Sequence, residues 1–558
     1  MGDPWPSPLA ERACAAGVLV LHALLVVWAL ATQSVTYDEN FHVPAGVVVV
    51  ARGDAGVSPA NPPLVKALFG MAALAAGAAV PADSLIAHHD QAAVGEAFMR
   101  LNASRYQRIY TAARLVTLAL SLVLGLVVWR AARGRFGPRG GLFALALWAF
   151  TPDAIAHAGV ATMDVATALG WIACSLAMAR WCRDGRWSSW GLLAATAVAF
   201  VLTRFTAVLL LPLAVLFLLQ AAASRRPLPW VRMLAGVLAL VALAWSAVVL
   251  AYGGHLSSPP LAELGLRSAQ LGALAHAHPG WRLPLPGALV RGLDKQAFDA
   301  EPGHLSTYVL GQITGRSVWW YFPFAVLCKW PLALLVAAAL RVMQLALRPS
   351  TRERASWTLL PAAAFLVPVM FSGNLDAGVR YVLPLLPLVA VECGSLAAPA
   401  TGEGRRRLRS AFAVACVLGV LAETLPAAPN LLAFFNRAAG GPGGGERVLN
   451  DSNADWGQGL IALRGELARR GIRRVYLAYH GTTDPAIYGI DYVPYLGGVP
   501  GPESDWLVVS SYYFVGLPQV MLTQHGYTSE PLVFDMRPLW NTPAAAHPGG
   551  CMWMFRIR

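Results

Sequence analysis

The sequence predicts a polytopic α-helical membrane protein of about 11 transmembrane helices, with a small extracytoplasmic α/β domain at its C-terminal end. Of its 558 residues, 56% are hydrophobic and only 13% are charged, and the mean hydropathy is +0.52. A soluble multidomain protein could hardly keep that much apolar surface from water. The net charge of +13 falls mostly in short arginine-rich loops. Such loops indicate membrane orientation and make nucleic acid a poor explanation for the basic charge.

Apolar stretches mark the helices that we expect to span the bilayer. A spanning helix needs roughly 20 mostly apolar residues, and about eleven stretches approach that length. They lie near residues 13–32, 112–131, 141–158, 160–181, 189–203, 205–223, 233–251, 319–343, 356–372, 379–398 and 410–426. The stretch 64–80 is also apolar, but it follows a Pro62-Pro63 pair and carries Lys66. We expect it to lie in the interface or to re-enter the membrane, because another span would break the charge pattern.

The loops between these stretches predict the orientation of the chain. With the N-terminus inside, the cytoplasmic loops are all short and basic, as the positive-inside rule requires. These loops cover residues 130–139, 183–186, 225–232, 341–354 and 405–409. The long connections 33–111 and 252–318 then lie outside, as does the chain beyond residue 427. The first stretch also resembles a signal peptide, but its apolar run is long for one, and we expect it to be retained.

The composition changes after the last predicted span. We therefore divide the chain into a transmembrane unit over 1–426, a Gly/Pro-rich linker over 427–449 and an outer domain over 450–558. In the outer domain, residues 451–453 are typical of a helix cap, and leucines recur at helical spacing over 455–470. The β-branched and aromatic runs 475–479, 506–513 and 552–557 predict strands.

Two adjacent carboxylates stand where the first apolar stretch leaves the bilayer. Tyr37-Asp38-Glu39 follows this stretch directly, and His42 comes one turn later. Ionisable groups beside the bilayer are costly and usually face a cavity or a reaction site. The acidic pair is therefore a candidate functional site. The alternative is that Asp38 and Glu39 only end a helix at the water interface.

The first loop and several later motifs resemble a known family. The segments "SVTYDENFHVPAG" and "GDAGVSPANPPLVKAL" resemble the first external loop of lipid-carrier-dependent glycosyltransferases of the GT-C superfamily. This superfamily includes protein O-mannosyltransferases and the aminoarabinose transferases that modify lipid A. In order, "GVATMDVATALGWIACSLA", "VLTRFTAVLLLP", "GRSVWWYFPFAVLCKWPLALL" and "GVRYVLPLLPL" resemble later motifs of its bacterial branch. "NDSNADWGQGLIALRGELARRGI" resembles the outer domain that some members carry.

The resemblance implies an inverting transfer of a monosaccharide from a polyprenyl-phosphate carrier to an acceptor hydroxyl. The acceptor would be a glycan, a lipid or a protein, and the reaction would take place on the extracytoplasmic side of the cell membrane. By match to the motif, Asp38 is the general base that takes the hydroxyl proton. Glu39 would orient the acceptor or a neighbouring cation, and His42 could support either carboxylate.

A second acid follows later in the chain. Asp164 stands at the outer start of the fourth predicted span, on the membrane side where Asp38 is expected. The predicted topology thus brings both acids to one face of the membrane. Asp153, after Thr151-Pro152, is either a further site residue or a solvent-facing loop residue.

Basic residues on the outer side are candidates to bind the leaving phosphate. Departure of a lipid phosphate develops negative charge, which fixed cations must stabilise in a water-poor site. Arg204, Lys329 and Arg380 each lie inside a family-like motif, and Lys66 is a weaker fourth candidate. The alternative is that isolated basic residues at helix ends anchor to lipid headgroups. Arg204 stands where many relatives have lysine, which keeps the charge but alters the phosphate geometry.

Several alternatives stay open at this point. His88-His89-Asp90 has metal-ligand chemistry, so a divalent metal is an option, although adjacent histidines in a loop are usually solvated. Residues 319–322 are typical of an aromatic belt at a membrane boundary, with sugar stacking as the alternative. A rival function is a transporter or flippase of a lipid-linked or anionic substrate, but no second half of the chain echoes the first. Another is an inert anchor whose outer domain binds glycan.

Overall fold

A computed structural model describes residues 7–223, 230–302, 306–348, 352–371, 373, 375–400, 402–517 and 536–558. Within them, the helices long and apolar enough to cross a membrane are Pro8–Thr32, Ala103–Phe150, Asp164–Asp184, Val231–Ala251 and Glu403–Ala427. Shorter apolar helices are Pro63–Ala75, Trp187–Val201, Phe205–Gln220, Leu332–Leu347, Ala355–Met370 and Leu385–Ala397. The predicted class of a multi-pass helical membrane protein is confirmed, whereas a total of eleven spans stays a prediction.

The α-helices of the first half follow the hydropathy pattern. They are α1 Pro8–Thr32, α2 Glu39–Arg52, α3 Pro63–Ala75, α4 Asp83–Ile86, α5 Gln91–Leu101, α6 Tyr106–Phe150, α7 Pro152–Ala158, α8 Asp164–Asp184, α9 Trp187–Val201, α10 Leu210–Ala223 and α11 Trp230–Ala251. Those of the second half are α12 Ala269–Ala277, α13 Gly287–Asp299, α14 Tyr321–Lys329, α15 Leu332–Leu347, α16 Arg352–Met370, α17 Leu385–Cys393, α18 Glu403–Ala427, α19 Leu460–Arg470 and α20 Ser511–Phe514.

Proline and glycine move several of the predicted boundaries. The second and third predicted spans run on as α6, which turns sharply where Gly137 adopts φ 77° before Pro138. The predicted stretch 319–343 is broken into α14 and α15, because Pro331 cannot donate the hydrogen bond that a continuous helix needs. Of the predicted cytoplasmic loops, residues 225–229 and 349–351 lie outside the described part of the chain.

Residues 33–111, the predicted first external loop, form a helical layer that is packed closely on the predicted transmembrane unit. At the crossing of α2 and α3, a Cβ added to Gly46 would collide with the backbone of Lys66, and one added to Gly70 would collide with the backbone of Gly46. Only glycine allows two helix backbones to approach this closely. The crossing fixes α2, whose N-terminal residues follow Asp38, against α3, which carries Lys66.

Residues 450–558, the predicted outer domain, contain a mixed sheet. Its strands are β3 Arg474–Ala478, β4 Asp491–Pro494, β5 Trp506–Ser510 and β6 Met552–Arg556. A separate hairpin of β1 Thr307–Val309 and β2 Gln312–Thr314 lies earlier in the chain. The sheet order is β4-β3-β5-β6, with β3 parallel to β4 and β5, and β6 antiparallel to β5. Of the three predicted strands, the one over 506–513 ends early because α20 begins at Ser511, and β4 was not predicted.

The outer domain is docked on the first external loop through backbone contacts. Ser34 N donates to Gln458 O at 3.1 Å, and Tyr37 N donates to Trp456 O at 2.8 Å. The predicted helix over 455–470 therefore begins only at Leu460, because residues 454–459 form the loop that makes these contacts. The docking places residues 451–458 beside the acidic motif of the first loop.

Candidate functional site

Asp38 lies at the start of α2 and is paired with a residue far away in the sequence. Arg380 Nη1 lies 2.8 Å from Asp38 Oδ2. The side chain of Asp38 is 25% exposed, so this carboxylate stays accessible. Arg380 belongs to the short 3-10 helix Val379–Val382, which precedes α17. The pair joins the first external loop to the second half of the transmembrane unit.

Asp164 and Arg204 complete the cluster. Asp164 is the first residue of α8, and its Oδ1 lies 2.6 Å from Arg204 Nη1. Its Oδ2 accepts from Thr162 Oγ1 at 3.0 Å and lies 3.9 Å from Arg380 Nη1. The structure thus brings together the two predicted acids and two of the predicted phosphate-binding cations.

Aromatic rings surround the guanidinium of Arg380. Its central carbon lies 4.1 Å from the ring centroid of Trp456 and 4.9 Å from that of Tyr381. The guanidinium of Arg204 lies over the other side of the cluster, 5.3 Å from the Tyr381 centroid. Aromatic faces attract cations, and they hold these two groups without using up their hydrogen-bond donors.

Glu39 does not face the cluster. Its side chain has no exposed surface and pairs with Arg114 of α6, also fully buried, at 2.8 Å and 2.7 Å. The same carboxylate accepts from Thr36 N and from Ala161 N, each at 2.8 Å. Arg114 also donates to the carbonyl oxygen of Ser34 at 2.7 Å. Of the two expectations for Glu39, this geometry agrees with orienting a neighbouring cation.

His42 and Lys66 lie behind the cluster. His42 is 8% exposed, and its buried Nδ1 has no hydrogen-bond partner among the described residues. Burial lowers the pKa of His42 to about 4, although Asp38 acts in the opposite direction. Lys66 of α3 is buried and donates to the carbonyl oxygen of Ser58. Neutral His42 is therefore a hydrogen-bonding group near physiological pH rather than a cation.

Lys329 is held by backbone oxygens. Its ammonium donates to Leu432 O at 2.9 Å and to Asn453 O at 2.6 Å, and lies 4.6 Å from the Phe435 ring centroid. It is only 1% exposed. Asp153 does not face solvent, which excludes the interpretation of this acid as a solvent-facing loop residue. It is 1% exposed at the start of α7 and interacts electrostatically with Lys329. Lys329 thus lies one layer behind the cluster.

The motif 451–453 supplies site residues that sequence reasoning treated only as a helix cap. Ser452 Oγ accepts from Arg380 Nε at 3.1 Å, and Asn453 Oδ1 accepts from Val379 N at 2.9 Å. Asp451 has a left-handed backbone with φ 60°, which is strained for a residue with a Cβ and is found mainly at functional sites. Burial raises the pKa of Asp451 to about 6; Arg380 acts to lower it and Asp38 to raise it. The sequence signal that could have indicated this part of the site is the acidic residue Asp451 directly before the polar residues Ser452 and Asn453.

An apolar groove leads away from the cluster. Its volume is about 1640 Å³, and it runs between α3, α6, α8 and α9. At one end it is lined by Val65, Ala166 and Thr203, which are sequence neighbours of Lys66, Asp164 and Arg204. At the other end it is lined by arginines that include Arg135 and Arg341. A long alkyl or isoprenoid chain fits such a groove, because the lining between its ends is almost wholly apolar.

Two segments for which the sequence left alternatives open, 88–90 and 319–322, make defined contacts in the structure. His89 Nε2 lies 2.9 Å from Asp54 Oδ2, while Asp90 caps α5 by accepting from Ala92 N and Ala93 N. Within the described ranges, no group of three or more His, Cys, Asp or Glu side chains could hold a metal ion. Of the residues 319–322, Trp319 is 59% exposed but Tyr321 is buried, with its hydroxyl accepting from Asn453 Nδ2 at 2.8 Å.

Comparison with known proteins finds a family profile that matches part of the chain. Residues 90–246, which include Asp164 and Arg204, match the family profile of dolichyl-phosphate-mannose-protein mannosyltransferases. No curated protein sequence matches the chain. The match confirms the predicted resemblance to the GT-C superfamily of lipid-carrier-dependent glycosyltransferases.

Solved structures that align with the chain include three of interest. ArnT from Cupriavidus metallidurans bound to undecaprenyl phosphate is 15% identical with a TM-score of 0.45, covering 82% of this chain and 73% of that chain. Its apo state is 17% identical with a TM-score of 0.42, over 82% and 72% of the two chains. An Archaeoglobus fulgidus oligosaccharyltransferase tethered with an acceptor peptide is 13% identical with a TM-score of 0.41, over 73% and 54%.

Proposed function

We propose that this protein is an inverting glycosyltransferase that moves a monosaccharide from a polyprenyl-phosphate carrier to an acceptor hydroxyl on the extracytoplasmic side. The observation that carries the proposal is the cluster of Asp38, Arg380, Asp164 and Arg204 beside the end of an apolar groove. The cluster combines a base with phosphate-binding cations, and the groove can hold the carrier chain.

Asp38 acts as the base. Its accessible carboxylate takes the proton of the acceptor hydroxyl as the hydroxyl oxygen forms a bond to the anomeric carbon. The bond from that carbon to the phosphate oxygen breaks, and its electron pair leaves with the lipid phosphate. Attack and departure take place on opposite faces of the sugar, which inverts the anomeric configuration.

Arg204 and Arg380 hold the leaving phosphate. Arg380 uses Nη1 for Asp38 and Nε for Ser452, and Arg204 uses Nη1 for Asp164. Nη2 of each arginine has no partner among the described residues. These donors can bind phosphate oxygens while the existing pairs stay formed. Charge-assisted bonds of this kind strengthen as negative charge develops on the phosphate.

The buried residues keep the cluster in place. Glu39 and Arg114 fix the start of α2, and Lys329 fixes the segment that carries Asn453. We therefore assign Glu39 and Lys329 positioning roles. His42 interacts electrostatically with Asp38, Asp164 and Lys66, and we assign His42 and Lys66 to the phosphate or the sugar hydroxyls.

The test is a transfer assay with purified protein in liposomes. Polyprenyl-phosphate monosaccharides are supplied as donors, and release of polyprenyl phosphate and the anomeric configuration of the product are measured. Asp38→Asn should reduce transfer by about 10²- to 10⁴-fold while donor binding is retained, because only the base is lost.

Asp83→Asn is the matched control, because Asp83 is an exposed acid of the same external loop. It should leave transfer unchanged. Retention of most activity in Asp38→Asn would refute the base assignment. If the donor lipid crosses the bilayer chemically unchanged, the protein is a flippase instead.

A further inference from the structure

A second cavity lies between the first external loop and the outer domain. Its volume is about 770 Å³, and it shares no lining residue with the apolar groove. Tyr37 and Phe41 line it on the side of the loop, while Tyr479, Tyr492 and Tyr495 line it on the side of the outer domain. All five of these rings are half-buried, so they present part of their surface to the cavity.

This cleft opens beside the proposed base. Tyr37, which lines the cleft, directly precedes Asp38, and consecutive Cα atoms are about 3.8 Å apart. The Tyr37 ring is stacked on His480 of the outer domain, with centroids 5.4 Å apart and planes 12° apart. Thr482 Oγ1 donates to Tyr37 O at 3.1 Å. The lining of the cleft thus comes within one residue of Asp38, and we expect a molecule bound there to extend a hydroxyl toward this carboxylate while the carrier occupies the separate groove.

The chemistry of the lining favours a neutral polyhydroxylated ligand. Its basic residue Arg100 is paired with Glu96 of the same helix, so the described lining of the cleft has no unpaired cation for a phosphate or carboxylate. Asp484 adds a carboxylate that also accepts from the hydroxyl of Tyr492 at 3.3 Å. Aromatic faces stack on apolar C–H surfaces, and the hydroxyl and carboxylate groups between them are hydrogen-bond partners for sugar hydroxyls.

The edge strand of the outer domain makes an extended peptide a poorer ligand. β4 is the edge of the sheet and borders the cleft through Tyr492 and Pro494. It has only four residues, and Pro494 lacks a backbone donor. A peptide added as a further strand would therefore gain few backbone hydrogen bonds.

We infer that this cleft binds a neutral oligosaccharide as the acceptor and that the outer domain serves as one of its walls. This inference rests on the proposed function, because it names the substrate whose hydroxyl Asp38 deprotonates. The new bond joins that hydroxyl oxygen to the anomeric carbon of the donor sugar.

The experiment measures binding without donor, so that no turnover occurs. Full-length protein in detergent is applied to an array of neutral oligosaccharides, anionic oligosaccharides and peptides, and the best neutral oligosaccharide is titrated by calorimetry. Tyr492→Ala and Tyr495→Ala should each weaken its binding about tenfold. Trp281→Ala is the control, because Trp281 is 54% exposed and lines neither cavity. It should bind like the wild type.

Donor turnover, measured as release of polyprenyl phosphate at a saturating concentration of the best neutral oligosaccharide, separates the two proposals. It should be the same in both tyrosine variants as in the wild type. Binding of peptides or anionic glycans alone, or neutral-glycan binding that survives both substitutions, would overturn the inference even if donor is consumed. Tyrosine-dependent glycan binding without any donor turnover would instead overturn the proposed function and, with it, the acceptor role of the cleft.

Discussion

At the scale of single residues, Arg380 connects the elements of the proposed chemistry. It contacts Asp38 directly, lies 3.9 Å from Asp164 and donates from Nε to Ser452 Oγ of the outer domain. Its guanidinium is planar and lies against the ring of Trp456. A planar group with several fixed donors suits both the stacking and the bidentate recognition of phosphate better than an ammonium does.

Arg380→Gln should weaken binding of a polyprenyl-phosphate sugar by about 10- to 100-fold, since hydrogen bonds to charged groups contribute about 1.5–3 kcal/mol. Arg380→Lys should restore part of that affinity because it keeps the charge. Binding is measured by titrating donor into purified protein. Arg406→Gln removes a half-exposed arginine of α18 and should have no effect. Equal effects at both positions would show that Arg380 only anchors to headgroups.

Asp451 is a further acid of the cluster, and its charge changes near pH 6. Its pKa is raised to about 6, chiefly by burial, and it interacts electrostatically with both Arg380 and Asp38. Above about pH 6 it is a carboxylate that attracts Arg380, and as the pH falls through 6 it takes up a proton and this attraction is lost.

We expect transfer by the wild type to decrease as the pH falls through about 6. Asp451→Asn should have low activity at pH 8 and should lose this step, because the group that titrates there is gone. The measurement is the pH profile of kcat/KM. Asp376 has a pKa raised to about 6 by burial, so Asp376→Asn is the control, and it should keep the step. An unchanged profile in Asp451→Asn would contradict the assignment.

At the scale of elements, the Glu39–Arg114 pair joins α2 to α6. Both side chains are fully buried, and their oxygens and nitrogens are satisfied by each other and by the turn before α2. Removing one partner of such a pair leaves an uncompensated buried charge. The pair therefore fixes the turn in which Asp38 lies.

Glu39→Gln should lower the free energy of unfolding by about 3–5 kcal/mol, because Arg114 stays charged and buried. The double variant Glu39→Gln with Arg114→Met should be more stable than Glu39→Gln alone. Thermal unfolding in detergent gives the Tm of each protein. The control is Glu96→Gln, which breaks the exposed pair with Arg100 and should change the Tm very little. A Tm for Glu39→Gln equal to that of Glu96→Gln would contradict a structural role.

At the scale of the whole molecule, the orientation in the membrane determines which side every site residue faces. Residues 130–139 surround the kink of α6, whereas 183–186 and 405–409 lie at the end of α8 and the start of α18. Arginines of all three segments line one end of the apolar groove. The positive-inside rule assigns these loops to the cytoplasm. We therefore expect the cluster and the outer domain to lie outside.

A phosphatase reporter fused after Arg558 should be active, because this enzyme works only outside the cytoplasm, whereas a cytoplasm-only reporter should be silent. The control is the same pair of fusions within the loop 183–186, where the pattern should be reversed. The opposite pattern at the C-terminus would overturn the topology and the sidedness of the proposed reaction.

The sequence by itself determined the multi-pass class, the resemblance to the GT-C superfamily and the acids and cations that meet in the cluster. Hydropathy and loop charge act locally along the chain, so they can be read without a structure. Only the tertiary structure showed that Asp38 pairs with Arg380 across 342 positions, that Glu39 and Lys329 are buried behind the cluster, and that Asp451 reaches it from another domain. Each of these three findings depends on how elements that are distant in sequence pack against one another, and local sequence patterns do not encode that packing.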